Sequence, residues 1–114
     1  MHETAIADSL ITLIIAEAEK QNARPVKAKI SCGVLNTVND EIMKFAFDAI
    51  GKGTLCEGIQ VDIEHKPITG RCLTCGCEFV IDLNKPACTS CQSSDFEMLP
   101  DAPLLLEQIE FETQ

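Results

Sequence analysis

Two pairs of closely spaced cysteines are the residues of this sequence with the clearest chemistry. Cys72 and Cys75 form one C-x-x-C motif, Cys88 and Cys91 form a second, and twelve residues separate the two. A C-x-x-C turn lets two thiolates converge on one ion, and a hairpin between the motifs would complete the tetrahedral set of four sulfurs that Zn²⁺ favours. The spacing therefore predicts a structural zinc site, with iron in the same geometry, a redox dithiol or two disulfides as the alternatives.

The other cysteines and the second histidine have no partner at ligand spacing. Cys77 lies two residues beyond Cys75 and is interpreted as a spare thiol, since each motif is complete without it, although it could in principle exchange into the site. Cys32 falls in the apolar register of a predicted strand and is interpreted as a core residue. Cys56, in a short loop, is assigned no function, and His65, at a strand end, is expected at the surface.

A cluster of nitrogen donors opens the chain. The bulky His2 disfavours removal of Met1, so the terminal amine is expected to stay on Met1. That amine, the His2 imidazole and the next amide nitrogens lie within one or two residues of each other, which suits the square-planar preference of Ni²⁺ or Cu²⁺. By spacing alone, a frayed terminal histidine is the more common interpretation.

The elements that must position these donors follow from hydrophobic periodicity. Helical spacing over about residues 3–22 predicts an amphipathic helix whose apolar face is Ile6, Leu10, Leu13, Ile14 and Ala18. Pro25 is expected to end that helix, and strict alternation then predicts a strand with one buried face, formed by Val26, Ala28, Ile30, Cys32 and Val34.

A second helix is expected to begin after Asn39, a good N-cap, with Asp40 and Glu41 at the positive end of the helix dipole. Its predicted apolar stripe is Ile42, Phe45, Ala46, Ala49 and Ile50. A second strand is predicted around Ile59, Val61 and Ile63, and a last strand around Leu105, Ile109 and Phe111. Glu107 breaks the alternation of that last strand.

The order of these elements predicts an α+β fold: a small three-stranded mixed sheet with two helices, plus a zinc-ribbon-like insert. The expected domains are an α/β body over residues 1–67 and 100–114 and a four-cysteine insert over residues 68–99. The insert has few aliphatic residues, so it needs a metal to fold.

Charge and composition exclude several classes of function. Eighteen acidic against nine basic residues give a formal charge of −9, which repels nucleic-acid backbones and anionic lipid. No apolar run approaches the roughly 20 residues of a membrane span, and no secretory signal is visible, so a cytoplasmic location is expected. No nucleophile–base pair, phosphate loop or open zinc set is present, so neither catalytic residues nor enzyme activity are expected.

Several motifs together resemble the HypA/HybF family, whose members are nickel-insertion accessory proteins for hydrogenase maturation. The resemblance covers the whole chain. It rests on Met1-His2-Glu3 opening a helix, Gly33 late in a strand, Phe45-Ala46-Phe47, Glu57-Gly58 before the second strand, and the two C-x-x-C motifs.

The resemblance implies a site for each metal. Nickel, the cargo, would be held by the His2 imidazole and backbone nitrogen, with the Met1 amine and the Glu3 amide nearby. Asp40 would lie beside that site, although helix-dipole stabilisation is an equal explanation for this residue. Zinc, one ion per chain, would be held by the four cysteines of the two motifs.

Two functions follow from these sites. The first is a nickel metallochaperone that delivers Ni²⁺ during maturation of [NiFe]-hydrogenase, with the GTPase HypB and the hydrogenase large subunit as the partners that the family implies. The alternative is a zinc-ribbon adaptor between proteins, without nickel transfer. A monomer and a weak dimer both stay open.

Overall fold

The structure, a computed structural model, describes residues 3–36 and 38–112. Two helices and six strands follow one another within these residues. They are α1 (Glu3–Gln21), β1 (Arg24–Gly33), α2 (Asp40–Gly51), β2 (Gln60–Lys66), β3 (Thr69–Cys72), β4 (Glu78–Val80), β5 (Phe96–Met98) and β6 (Leu105–Glu112). None of the helices within these residues has the length and apolarity that a membrane span requires.

The chain forms two compact units. The helix–sheet unit comprises residues 3–31, 38–64 and 105–112 of the described chain, and the cysteine-rich unit comprises residues 32–36 and 65–104. The last residues of β1 and β2 therefore belong to the cysteine-rich unit. The domain boundaries predicted from the sequence, at residues 68 and 99, concern independent folding and stay a prediction.

Each unit is built on a three-stranded sheet. The first sheet has the order β2-β1-β6, and β1 pairs with β6 in antiparallel register. The ion pairs Lys27–Asp62 and Lys29–Glu64 advance in the same direction along β1 and β2, as they do between parallel strands. The second sheet, β4-β3-β5, is antiparallel throughout. The predicted α+β fold with a small mixed sheet and two helices is confirmed.

The helices bury faces that differ in part from those predicted. In α1, Ala7 and Ile11 are buried, whereas Leu13 is 59% exposed. In α2, Met43, Ala46 and Phe47 are buried, whereas Phe45 is 74% exposed and Ile42 is also exposed. Both helices carry apolar residues on more than one side, and α1 packs chiefly against α2. The contact between the two helices therefore selects the buried faces, which periodicity within one helix cannot do.

Two irregularities in the pairing of β1 with β6 shift side chains between faces. One lies between Pro25 and Lys27, so Pro25 is buried within β1 while Val26 is exposed, the reverse of the prediction. The other lies opposite Glu107, which has no paired residue in the register. A bulge inserts one such residue and so explains why Glu107 breaks the alternation. Its carboxylate accepts a hydrogen bond from the buried Ser31 hydroxyl.

Candidate metal centre

The four paired cysteines converge on one point in the cysteine-rich unit. All four Sγ atoms lie within 4.8 Å of one another. The Cys72 and Cys91 sulfurs are 3.5 Å apart, and those of Cys75 and Cys88 are 3.6 Å apart. Four sulfurs at 2.3 Å from a tetrahedral ion lie about 3.8 Å from one another, so the donor set fits a metal of zinc type.

The first C-x-x-C motif is a closed loop at the end of β3. The Cys72 N–H donates to the Cys77 carbonyl, and the Cys72 carbonyl accepts from the Gly76 N–H, both at 2.9 Å. Gly76 has a φ of +80°, a conformation that glycine adopts without strain. Cys77 thus contributes its backbone to the loop, and its exposed thiol lies outside the group of four sulfurs.

The second motif repeats the same loop with different residues. The Cys88 N–H donates to the Ser93 carbonyl at 2.9 Å, and the Cys88 carbonyl accepts from the Gln92 N–H at 2.8 Å. Gln92 takes the left-handed position, with a φ of +63°. Thr74 in the first loop and Ser93 in the second bring their hydroxyl oxygens to 3.0 Å from each other. Two equivalent loops therefore present their cysteine pairs to one site.

Backbone amides within the loops donate hydrogen bonds to the first sulfur of each motif and so favour the thiolate form that binds a cation. The Cys75 and Thr74 N–H groups donate to the Cys72 sulfur, each at 3.4 Å, and they lower the pKa of Cys72 to about 6. The pKa of Cys88 is lowered in the same way, by the amides of Cys91 and Ser90.

The pKa of Cys75, the second cysteine of the first motif, shifts in the opposite direction. The Cys77 amide lowers the pKa of Cys75, but the hydrogen bond to the Cys88 sulfur and desolvation outweigh it and raise that pKa to about 12. The sulfurs thus share protons across the group when no cation is bound. A metal ion replaces those protons, as thiolate coordination requires.

A small apolar cluster supports the ligands. Cys72 and Cys88 are buried together with Phe79 and Ile81, and Ile68 and Phe96 pack against this cluster. The rings of Phe79 and Phe96 meet edge to face, with centroids 5.3 Å apart. Two of the four buried members are therefore ligand candidates, so a metal would be part of this small core.

The predicted nickel donors Met1 and His2 lie outside the described residues. Glu3, the first residue of α1, accepts a hydrogen bond through Oε2 from the Asn39 N–H at 3.0 Å. Asn39 caps α2, because its Oδ1 accepts from the Ile42 N–H at 3.0 Å, and Asp40 is the next residue. The start of α1 is thus held against the start of α2, and only one peptide bond separates Glu3 from His2.

One pair of chemically active residues was not anticipated from the sequence. The Cys32 sulfur lies 3.6 Å from Nδ1 of His65, although 33 residues separate them. Cys32 is buried, as predicted, and His65 is exposed, as predicted. Their contact depends on the register of β1 beside β2. The charge pairing of Lys27 with Asp62 and Lys29 with Glu64 is the sequence signal that could have indicated it.

Comparison with known proteins places the whole chain in one family. The family model described as hydrogenase/urease nickel incorporation, metallochaperone, hypA matches residues 1–111. A relative named hydrogenase maturation factor HypA, from Desulfitobacterium hafniense strain DCB-2, is 32% identical over 113 residues, covering 98% of this chain and 99% of the relative. A relative of the same name from Aquifex aeolicus is 31% identical, covering 98% of each chain.

Solved structures share the fold. The solution structure of the Ni metallochaperone HypA from Helicobacter pylori matches with a TM-score of 0.64 and 22% identity, over 100% of both chains. A second structure, described as the solution structure of HypA protein, matches with a TM-score of 0.72 and 21% identity, over 100% of this chain and 98% of the other. Together with the family match and the relatives above 30% identity, this shows that the chain belongs to the HypA family of hydrogenase/urease nickel-incorporation metallochaperones.

Proposed function

We propose that this protein is a nickel metallochaperone that delivers Ni²⁺ during the maturation of [NiFe]-hydrogenase. The observation that carries the proposal is the family match, which begins at residue 1 and so includes the terminal tripeptide Met1-His2-Glu3. Amine, imidazole and amide nitrogens at that spacing suit a square-planar nickel ion. The role is binding and transfer, and no catalytic residue is assigned.

The proposed nickel site comprises the His2 imidazole and backbone nitrogen, the Met1 amine and the Glu3 amide, with Asp40 nearby. The hydrogen bond from the Asn39 N–H to the Glu3 carboxylate supports this arrangement. It fixes the first turn of α1 beside the residue that precedes Asp40, and consecutive Cα atoms are only about 3.8 Å apart. The proposed nickel donors are therefore joined directly to a helical turn that this hydrogen bond holds in place.

The proposed zinc site uses Cys72, Cys75, Cys88 and Cys91, with one Zn²⁺ per chain. The sulfur separations and the amide hydrogen bonds of the two loops support it. Four thiolates leave no open position on a tetrahedral ion, so this metal would hold the cysteine-rich unit together and take no part in transfer. Elemental analysis of purified protein tests this: iron, or no metal, would contradict the assignment.

The proposed partners are the GTPase HypB and the hydrogenase large subunit, met in the cytoplasm. A net charge of −9 suits docking to a basic surface and disfavours nucleic acid. Residues 68–99 carry two basic and four acidic side chains, and a zinc ion with four thiolates adds two further negative charges. The cysteine-rich unit is accordingly assigned to contacts with protein.

Nickel titration of the intact chain tests the proposal. The change His2→Ala removes the only side-chain nitrogen of the proposed set, so we expect specific Ni²⁺ binding to be lost while zinc content and fold are retained. An N-terminal tag should do similar damage because it consumes the amine, and a C-terminal tag should be harmless. His65→Ala, which removes the other histidine, is the matched control and should leave planar nickel binding intact.

Two outcomes separate this function from the adaptor. If His2→Ala binds Ni²⁺ as tightly as the parent, the terminal site is wrong. If, in addition, the parent shows no planar nickel spectrum at all, a zinc-ribbon adaptor without nickel transfer becomes the better function. Binding by the parent should also weaken below about pH 6, since imidazole, with an ordinary pKa of about 6.5, then takes up a proton in competition with the metal.

A further inference from the structure

A second pair of soft donors lies away from the four-cysteine group. Cys32 is the penultimate residue of β1 and His65 the penultimate residue of β2. The Cys32 sulfur and the His65 Nδ1 are 3.6 Å apart, with the thiol buried and the imidazole exposed. Both residues belong to the cysteine-rich unit. A thiol and an imidazole in contact form the start of a metal site, because both are ligands of zinc-like ions.

The separation of the two atoms is close to the one that a tetrahedral ion requires. With metal–sulfur and metal–nitrogen distances of about 2.3 and 2.0 Å, a tetrahedral ion holds the two donors about 3.5 Å apart, whereas cis positions of a square-planar ion hold them about 3.1 Å apart. The observed 3.6 Å matches the tetrahedral value. The separation is compatible with a tetrahedral Zn²⁺ or Co²⁺ ion, which thiolate and imidazole donors favour.

A buried carboxylate oxygen lies against Gly33, the residue that follows Cys32 in β1, and therefore on the opposite face of the strand from the Cys32 side chain. Gly33 follows Cys32, and a Cβ built on Gly33 would collide with the carboxylate of Asp101. The glycine thus admits this carboxylate against the strand backbone. Among the described residues, Asp101 Oδ1 is a buried side-chain oxygen without a hydrogen-bond partner. This carboxylate is therefore not counted among the donors of the Cys32–His65 pair.

We propose that Cys32 and His65 form a second, open metal-binding pair that takes a tetrahedral divalent ion of the zinc class. In the metal-free chain the thiol and the imidazole are in hydrogen-bonding contact. The ion replaces the thiol proton, which is released to solvent, and binds the thiolate sulfur and the Nδ1 lone pair. No third His, Cys, Asp or Glu donor joins the pair within residues 3–36 and 38–112. The pair would fill two of the four positions of a tetrahedral ion, and water or a donor of another protein would complete the set from the side of the exposed His65 ring.

Cobalt titration of the chain with its four-cysteine site filled by zinc tests this site. Co²⁺ binds such sites more weakly than Zn²⁺ and does not displace it from them. Co²⁺ bound by Cys32 gives a thiolate-to-metal charge-transfer band, whereas Co²⁺ at the nitrogen donors of the chain terminus does not. The band therefore reports the new site separately from the proposed nickel function, so either can fail without the other.

We expect the parent chain to bind one additional Co²⁺ with a thiolate band, and Cys32→Ser to abolish that band. His65→Gln changes an exposed side chain and should keep the fold. It should weaken Co²⁺ binding at least about tenfold, because loss of even a residue that hydrogen-bonds to a metal ligand has about that effect. Cys56→Ser, which alters another buried cysteine, is the matched control and should keep the band. A parent without the band, or a band of undiminished affinity in His65→Gln, would overturn the proposal.

Discussion

Each of the two units of this chain is stabilised by a different kind of interaction. The largest fully buried side chains of the helix–sheet unit include Phe47, Ile14, Ile30 and Met43, which form an ordinary apolar core. The buried cluster of the cysteine-rich unit has four members, and two of them, Cys72 and Cys88, are metal-ligand candidates. Where apolar side chains are too few to offset the entropy of folding, metal ligands take the place of core residues.

The two units also differ in the solvent exposure of the residues that stabilise them. Cys75 and Cys91 are exposed although their sulfurs belong to the group of four. The metal site therefore reaches the surface, where a chelator can attack it, whereas the core of the helix–sheet unit has no such access. Metal removal should therefore destabilise the cysteine-rich unit, and loss of apolar volume should destabilise the helix–sheet unit.

The largest expected effect is the loss of the cysteine-rich unit when its ligand set is broken. Cys88→Ser removes a buried ligand, so residues 68–99 should lose their dispersed amide resonances and become sensitive to protease. Removal of the metal with a chelator should give the same spectrum. The helix–sheet unit should keep its resonances because it has an apolar core of its own.

Cys77→Ser is the matched control for that change. Its thiol lies outside the group of four sulfurs, and serine keeps the carbonyl that accepts from the Cys72 N–H. Metal content and protease resistance should therefore equal those of the parent. If Cys77→Ser loses metal as Cys88→Ser does, the ligand set is wrong.

Loss of apolar volume should act on the other unit. Phe47 is 1% exposed, and Phe47→Ala should lower the free energy of unfolding of the helix–sheet unit by about 3–5 kcal/mol through lost burial and a cavity. Denaturant titration followed by helical circular dichroism measures this. Phe45→Ala alters a side chain that is 74% exposed and should change that free energy by less than about 0.5 kcal/mol. Equal effects would mean that the buried face of α2 is assigned wrongly.

A smaller effect is expected at the cap of α2. Asn39→Ala removes the Oδ1 acceptor of the Ile42 N–H, at a cost of about 1 kcal/mol in unfolding free energy. Alanine keeps the backbone N–H that donates to Glu3, so nickel binding at the terminus should be retained. Thermal unfolding and nickel titration of one preparation check both results. A change without effect on stability would show that the cap contributes nothing measurable.

The smallest expected effect lies in an exposed ion pair of the first sheet. The Lys27 ammonium is 3.0 Å from Asp62 Oδ2, and its hydrogen bond lowers the pKa of Asp62. A lowered carboxyl pKa stabilises the fold above the ordinary aspartate pKa of about 3.9, and this contribution is lost as pH falls through the folded value. Because both side chains are exposed, Asp62→Asn should change stability only slightly at neutral pH. An NMR titration of the Asp62 carboxyl that shows an ordinary or raised pKa would contradict the pairing.

Features that depend on neighbouring residues were determined by the sequence itself. The C-x-x-C spacing predicted which four sulfurs meet, because each motif closes its own loop through hydrogen bonds between residues four and five apart. Periodicity placed both helices and the three strands of the first sheet, and Asn39 was correctly expected to cap α2. Interactions within one turn or one loop leave a direct signature in the order of residues.

Other features were decided only by the tertiary structure. Leu13 and Phe45 were expected in the core and are exposed, because α1 and α2 each offer more than one apolar side and their mutual contact selects one. The bulges at Val26 and Glu107 depend on how β1 pairs with β6. The contact of Cys32 with His65 joins residues 33 positions apart and exists only because β1 lies beside β2. Such contacts are set by packing and register between distant segments, for which a single sequence carries no local signal.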